Sequence, residues 1–455
     1  MDKRKFIKTA TTLAGAAIAG PLLQCNPKKQ EMQSTEALYN WAGNLQFSTT
    51  QLHQPKNLDE AVNLVKELPK LRVLGSRHSF NSIADSEQHL LSTTRLNRLI
   101  DLDKESRKVT VEAGMKYGDL CLLLEKEGFA LHNLASLPHI SIAGSISTGT
   151  HGSGMENGNL SSAVAAIEFI NGNGELVKLS RENDPAFMGA VVGLGAIGML
   201  TKVTLDIEPS FDMAQVIYKD LPMQALKDHL TEIMGAGYSV SLFTDWTSDH
   251  INQVWVKKRS NQNGEFDFPL ELFGALPFEK AVHPVQSMSA ESCTTQLGET
   301  KKWFEILPHF KMEFQPSAGK ELQSEYFIPI EHAYEAISSI QEMTKEISPL
   351  LFISEIRSIK ADELWLSPCY KRDAIAIHTT WKQEIPEVME ILPKMEARLA
   401  PFQARPHWAK LFTISPSELE NRYPKLNDFR KLVQEHDPKG KFQNHFMEEN
   451  ISVNA

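Results

Sequence analysis

Basic charge is in short supply in this chain of 455 residues: 47 lysines and arginines stand against 57 aspartates and glutamates, a net charge of -10. Binding nucleic acid phosphates needs a basic face, so that class of partner is set aside. The acidic balance reads as solubility. Cysteine is scarcer still. Four are present, at 25, 121, 293 and 369, and none forms a C-x-x-C pair. That excludes a disulfide scaffold and a zinc or thioredoxin-like centre, and no metal is expected. Most of these isolated cysteines are expected as buried small hydrophobes. Apolar runs are short, too short for a confident transmembrane span. Internal repeats and long low-complexity segments are missing, which excludes solenoids and fibrous arrays. What remains is a globular balance, 42% hydrophobic and 23% charged, with enough chain for two domains.

The first 30 residues stand apart. A basic start precedes an apolar run from about Thr9 to Leu23, the layout of an export signal. Asp2–Lys8 resembles a twin-arginine signal with Lys3 in place of the first arginine. Leu22-Leu-Gln-Cys25 is a loose lipoprotein cleavage box, with Cys25 as the site of a lipid anchor. A signal peptide over 1–30 is expected, with a mature protein that is periplasmic or membrane-tethered. The alternative is an uncleaved leader on a cytoplasmic protein.

Beyond it, Asn57-Leu-Asp-Glu60 reads as a capping box opening a helix with Leu58, Ala61, Val62, Val65 and Leu68 on one face. Leu71–Leu74 is a short buried strand broken by Gly75. Leu99–Glu112 reads as a hairpin, and Tyr117–Gly128 as an amphipathic helix. A second hairpin spans 167–179 around Asn171-Gly-Asn-Gly174. Val203, Leu205 and Ile207 alternate on a strand ended by Pro209. The mixture is α+β, not a regular βαβ array. After Pro209 aromatics and prolines rise, so a boundary is placed near 210, with 258–300 as an excursion in the second half.

Four patterns carry chemistry. Gly75-Ser-Arg-His-Ser-Phe-Asn81 follows a strand; its backbone N–H groups, with Ser76 and Ser79, can cradle a diphosphate, and His78 sits in the middle. The bland alternative is a polar turn with an ordinary histidine. Segment 136–154 carries four glycines and five Ser or Thr between Gly144 and Gly154, donors with little bulk, suited to close approach of a dinucleotide. Gly193-Leu-Gly-Ala-Ile-Gly198 matches G-x-G-x-x-G, but a strand follows where a Rossmann fingerprint needs a helix. It is read as a turn beside the cofactor. Finally, Glu355 with Arg357, and His378 with Thr380, fall on single faces of apolar strands by the period of two. His407 and Lys410 follow in Arg405–Lys410. Burying such groups is costly unless they serve each other or a ligand; the alternative is surface salt bridging.

Taken together, the His78 loop, segment 136–154 and the Gly193–Leu200 turn resemble the vanillyl-alcohol oxidase family of flavoproteins. Within it the alditol oxidases are the nearer match, from about Trp41 to Phe446. The specific stretches are Asn40–Asn44, Ala135–Ser141, Gly149–Gly154, Ser239–Trp246, Leu322–Tyr326 and Trp365–Pro368. The resemblance implies a two-domain fold: an FAD-binding domain over 40–210, a cap over 211–405, and a segment over 406–455 that returns to the first domain. It implies FAD bound covalently to His78. The cofactor set it implies is Gly75, Ser76, Arg77, His78, Ser79, Phe80, Asn81, Ser136, Ser141, Gly144, Thr148, Gly149, Thr150, His151, Gly198 and Leu200. Arg77 stands where the family has a glycine.

The substrate set implied is Ser136, Glu355, Arg357, Thr380, His407 and Lys410, with Arg357, Lys410 and His378 in the chemical step. The implied reaction oxidises a primary alcohol of a polyol such as xylitol or sorbitol to the aldose. Hydride passes to flavin N5 and electrons then to oxygen, giving hydrogen peroxide. Lys410 and His378 both stand as candidate bases. Alternatives are a gulono- or galactono-lactone oxidoreductase of the same fold, a polyol dehydrogenase with a non-oxygen acceptor, and a non-catalytic carbohydrate-binding protein. A monomer is expected.

Overall fold

The computed structural model describes residues 36–312 and 321–452; the expected leader and Cys25 lie outside the described residues. Asn57 opens the first helix, Leu58–Glu67, by accepting the Glu60 N–H at 2.9 Å. The capping box is not the one expected. The Glu60 carboxylate reaches one residue further back and accepts from the Lys56 N–H at 2.8 Å. Ala61 and Val65 bury one helical face against Leu71, Leu91 and Ile170. The helix leads into the strand Leu71–Leu74, which pairs in parallel with His89–Ser92, itself parallel to Leu52–His53.

Both expected hairpins form, Leu99–Asp103 with Lys108–Glu112 and Val164–Ile170 with Leu176–Ser180. The strand Met199–Asp206 joins them into one antiparallel five-stranded sheet. The helix Tyr117–Lys126 packs Leu120, Cys121 and Leu124 into the core beside it.

The chain changes sheets around residue 210: the next long strand, Asp212–Pro222, belongs to a nine-stranded antiparallel sheet. Its centre is His250–Arg259, Ser239–Thr244, Leu351–Ile359, Ala374–Lys382 and Glu321–Pro329, in that spatial order. The helices Met223–Met234, Ala333–Gln341 and Ile385–Leu399 bring Leu226, Ile337 and Val388 into the core with Ile356 and Ile377. Because side chains alternate, Glu355, Arg357 and His378 leave the opposite face.

The short strand Arg405–Pro406 closes one edge by pairing with Tyr326 and Phe327. The chain then crosses back. The Phe80 N–H donates to the Ala409 carbonyl at 2.8 Å, the Leu71 N–H to that of Lys441 at 2.9 Å, and the Asn81 amide to those of Trp408 and Lys410. Cys121, Cys293 and Cys369 are buried and unpaired, as expected of small hydrophobes. The mixture of two large antiparallel sheets, a small parallel one and helices is the α+β architecture expected.

Candidate active site

One long cavity runs from the Gly75–Phe80 loop, past residues 143–151, to the inner face of the large sheet. At the loop end two sequence motifs clasp each other. The Ser141 N–H donates to Ser76 Oγ at 3.1 Å, and the Ser76 N–H donates to Ser141 Oγ at 3.3 Å. Gly75 leaves room for this clasp, because an added Cβ would lie 2.4 Å from Ser141 Oγ and push the hydroxyl out of it. Arg77 takes the left-handed conformation, φ 65°, a backbone region that favours glycine. Its side chain does not disturb the loop; a guanidinium N–H reaches the Tyr39 carbonyl at 3.4 Å.

Among the described residues, the backbone N–H groups of Arg77, His78 and Ser79 have no acceptor. Consecutive free N–H groups around a left-handed residue form an anion nest. The loop therefore fits the diphosphate of a dinucleotide. His78 stacks on Trp41 with ring centres 5.0 Å apart, and its Nδ1 lies 3.1 Å from Ser76 Oγ. Burial pushes its pKa down to about 4, so the ring is neutral near pH 7.

The Gly193–Gly198 segment is a turn beside this cavity, followed by the strand Met199–Asp206 as expected. Buried Arg72 fixes it by donating to the Leu194 and Gly195 carbonyls, and to those of Ile83 and Phe442. Of the expected cofactor set, Gly75, Ser76, Arg77, His78, Ser79, Phe80, Ser136, Gly144, Thr148, Thr150, His151, Gly198 and Leu200 line the cavity. Asn81, Ser141 and Gly149 stand behind its wall instead. Asn81 ties the loop to the C-terminal segment, Ser141 is consumed by the Ser76 clasp, and Gly149 packs against Pro368.

At the other end, all the expected substrate residues converge: Ser136, Glu355, Arg357, His378, Thr380, His407 and Lys410 line the cavity. Salt bridging at the surface does not account for them. The register places Glu355 and Glu325 on either side of His378 in neighbouring strands. Arg357 lies between the two carboxylates, 2.6 Å from Glu325 Oε1 and 3.5 Å from Glu355 Oε1. Lys410 Nζ donates to Glu325 Oε2 at 2.7 Å. Arg357 also reaches Ser136 Oγ at 3.5 Å.

Burial disfavours the charge on both carboxylates, yet Lys410, His151 and Arg357 outweigh it at Glu325, and Arg357 with the His309 hydrogen bond at Glu355, holding both pKa values below the usual range. Burial lowers the Lys410 pKa, with Glu325 opposing. Burial and Lys410 bring His378 down to about 3, and its Nδ1 has no hydrogen-bond partner.

Three residues escaped the sequence reading. Glu325 joins the two cations. His309 donates from Nε2 to Glu355 Oε1 at 2.6 Å, and Lys257 Nζ lies 3.1 Å from His309 Nδ1. For Glu325 a signal existed: Glu321, Gln323 and Glu325 alternate on one strand and all three line the cavity. His309 lies in an irregular segment, where no periodicity marks it.

An FAD-binding domain model matches residues 50–180, and a D-arabinono-1,4-lactone oxidase model matches residues 298–450. An alditol oxidase from a Streptomyces species is 42% identical over 414 residues, covering 90% of this chain and 98% of that protein. The L-gulonolactone oxidase of Mus musculus is 26% identical, covering 90% of this chain and 97% of its own. A solved cholesterol oxidase from B. sterolicum superposes with a TM-score of 0.75 at 16% identity, over 91% of this chain and 96% of the other, a likeness of fold. The fold is thus the one implied by the family resemblance, and the chain belongs to the alditol oxidase family of FAD-binding oxidoreductases.

Proposed function

We propose that this enzyme oxidises a primary alcohol group of a polyol to the aldehyde, with FAD held covalently by His78 and oxygen as the final electron acceptor. The observation that carries it is the single cavity joining the free N–H groups of the His78 loop to the paired charges around Arg357. FAD, when bound, supplies the two-electron redox chemistry. The chain's own residues supply the rest.

The Gly75–Phe80 loop would hold the diphosphate, and neutral His78 is the attachment residue. Arg357 holds the reacting oxygen of the substrate and favours negative charge nearby. The hydroxyl proton goes to an amine or an imidazole: Lys410, whose charged form burial disfavours, or His378, whose Nδ1 is open. Glu355, Ser136 and Thr380 hold the remaining hydroxyls, as a polyol requires when its polar groups are buried.

A sugar-lactone substrate is the second reading, because the L-gulonolactone oxidase of Mus musculus matches the same share of the chain. Screening polyols and sugar lactones for hydrogen peroxide release separates them. Turnover only with an added dye acceptor would replace the oxidase reading by a dehydrogenase. Export of the mature protein, with Cys25 as a lipid anchor, is part of the same proposal and rests on the basic and apolar layout of residues 1–30.

A further inference from the structure

Behind Glu355 lies a chain of buried polar groups that the reaction above does not use. Glu355 Oε1 accepts from His309 Nε2 at 2.6 Å and lies 3.5 Å from Arg357 Nε. Its other oxygen, Oε2, has no hydrogen-bond partner among the described residues, and Glu355 lines the cavity. His309 in turn meets Lys257, whose Nζ is 3.1 Å from His309 Nδ1 and donates to the carbonyls of Leu307 at 2.7 Å and Pro308 at 2.8 Å. Lys257 is 1% exposed and has no carboxylate within ion-pair reach among the described residues.

A lysine ammonium donates and never accepts. Its hydrogen bond therefore makes His309 Nδ1 the acceptor and leaves the ring proton on Nε2, directed at Glu355. The ring plane is fixed as well. Trp255 and Phe243 meet the His309 ring edge to face at centre distances of 5.2 and 5.4 Å. Each link is set by the one behind it, as outer partners set the tautomer of a functional histidine.

We infer that His309 and Lys257 are positioning residues for Glu355: they hold its Oε1 so that the free Oε2 presents an ionised, aimed acceptor to the hydroxyls of the polyol beyond the reacting one. The inference rests on the reading that Glu355 binds substrate. Burial keeps His309 neutral, with its pKa down to about 4, and weakens the Lys257 ammonium to about 7. Arg357 and His309 hold Glu355 ionised against the burial that opposes them. Glu355 therefore presents a carboxylate to the chamber near neutral pH. A purely structural role would not need an ion: a buried ammonium is costly, and apolar packing would serve as well.

Anaerobic rapid mixing with xylitol and with 1-propanol tests this on the flavin-loaded enzyme, reading the limiting rate of flavin bleaching and the half-saturating alcohol concentration separately. His309→Leu is expected to raise the half-saturating xylitol concentration about 10-fold or more, as for a lost hydrogen bond to a charged group. The limiting rate should stay within about 3-fold, and half-saturation by 1-propanol should not move. His309→Gln, whose amide can donate to Glu355, should restore xylitol binding to within about 3-fold. Lys257→Met should act in the same direction, and the double variant Lys257→Met with His309→Leu should do no more than the larger single change. If one variant fails to fold, the remaining ones carry the comparison.

Equal losses for xylitol and 1-propanol, a loss confined to the limiting rate, or additive effects in the double variant overturn the inference. Glu355→Gln separates the two levels. Weak xylitol binding in Glu355→Gln with normal binding in His309→Leu overturns the positioning alone. Normal xylitol binding in Glu355→Gln overturns the substrate role of Glu355 and the positioning with it.

Discussion

Arg357 and Lys410 meet on a single carboxylate: Glu325 takes the guanidinium on Oε1 at 2.6 Å and the ammonium on Oε2 at 2.7 Å. Both cations thus keep a fixed spacing without being bonded to each other. Glu325→Gln leaves two buried cations facing a neutral amide. Removing one partner of a buried ion pair costs about 3–5 kcal/mol. Denaturant titration of the variant should show a loss of that order, and a loss below about 1 kcal/mol would mean that the cations find other partners.

The chemical step should depend on Arg357 and on the proton acceptor. Loss of a preorganised donor costs about 10²–10³-fold in turnover, so Arg357→Ala and Lys410→Ala should slow flavin bleaching at saturating polyol. Ser136→Ala should chiefly raise the half-saturating concentration. Bleaching at the wild-type rate in Lys410→Ala passes the role of base to His378.

Acid-denatured protein should carry yellow flavin fluorescence on the polypeptide, because His78 is the proposed attachment site. His78→Ala should release all its flavin on denaturation, while the folded variant still binds FAD weakly. Free flavin from denatured wild type refutes the linkage.

Acid should destabilise the fold well before the carboxylates titrate. His309 and His378 have folded pKa values of about 4 and about 3, against 6.5 for the unfolded chain. Between those values the unfolded chain binds protons that the fold refuses, so stability falls as pH drops below about 6.5. Glu325 and Glu355, with pKa values depressed in the fold, add a further loss below about 4.5. Melting temperatures should hold from pH 7.5 to about 6.5 and decline from there to pH 4, and a flat profile below pH 6.5 contradicts the burial of these imidazoles.

Export is checked at the amino terminus. Mature protein isolated from the cell envelope should lack Met1, and Cys25→Ser should turn a membrane-associated form into a soluble one. An intact Met1 on active cytoplasmic enzyme refutes the signal.

Local pattern made much of the fold legible. Turn chemistry marked the hairpin at Asn171–Gly174, and alternation placed Glu355, Arg357, His378 and Thr380 on inner faces. The nine-stranded order was not legible, because its pairings join segments far apart, such as Ser241 with Arg357. The same distance hid Glu325. Its neighbours Glu321 and Gln323 show the period of two, but nothing local says that Arg357 and Lys410 will arrive beside it. Ser141 and Asn81 have the right chemistry for a cofactor, yet spend it on Ser76 and on the C-terminal segment. Sequence supplies donors and acceptors; only the packed chain decides which are already used.

Residues 71–81 leave the ribosome early, yet the carbonyls that their N–H groups and side chains bind, those of Trp408, Ala409, Lys410, Lys441 and Phe442, are made late. A nascent chain that holds the whole large sheet still lacks one wall of the flavin chamber. Loading of the cofactor must therefore wait for the end of translation, and a chain cut short before residue 407 should be colourless whatever else it has folded.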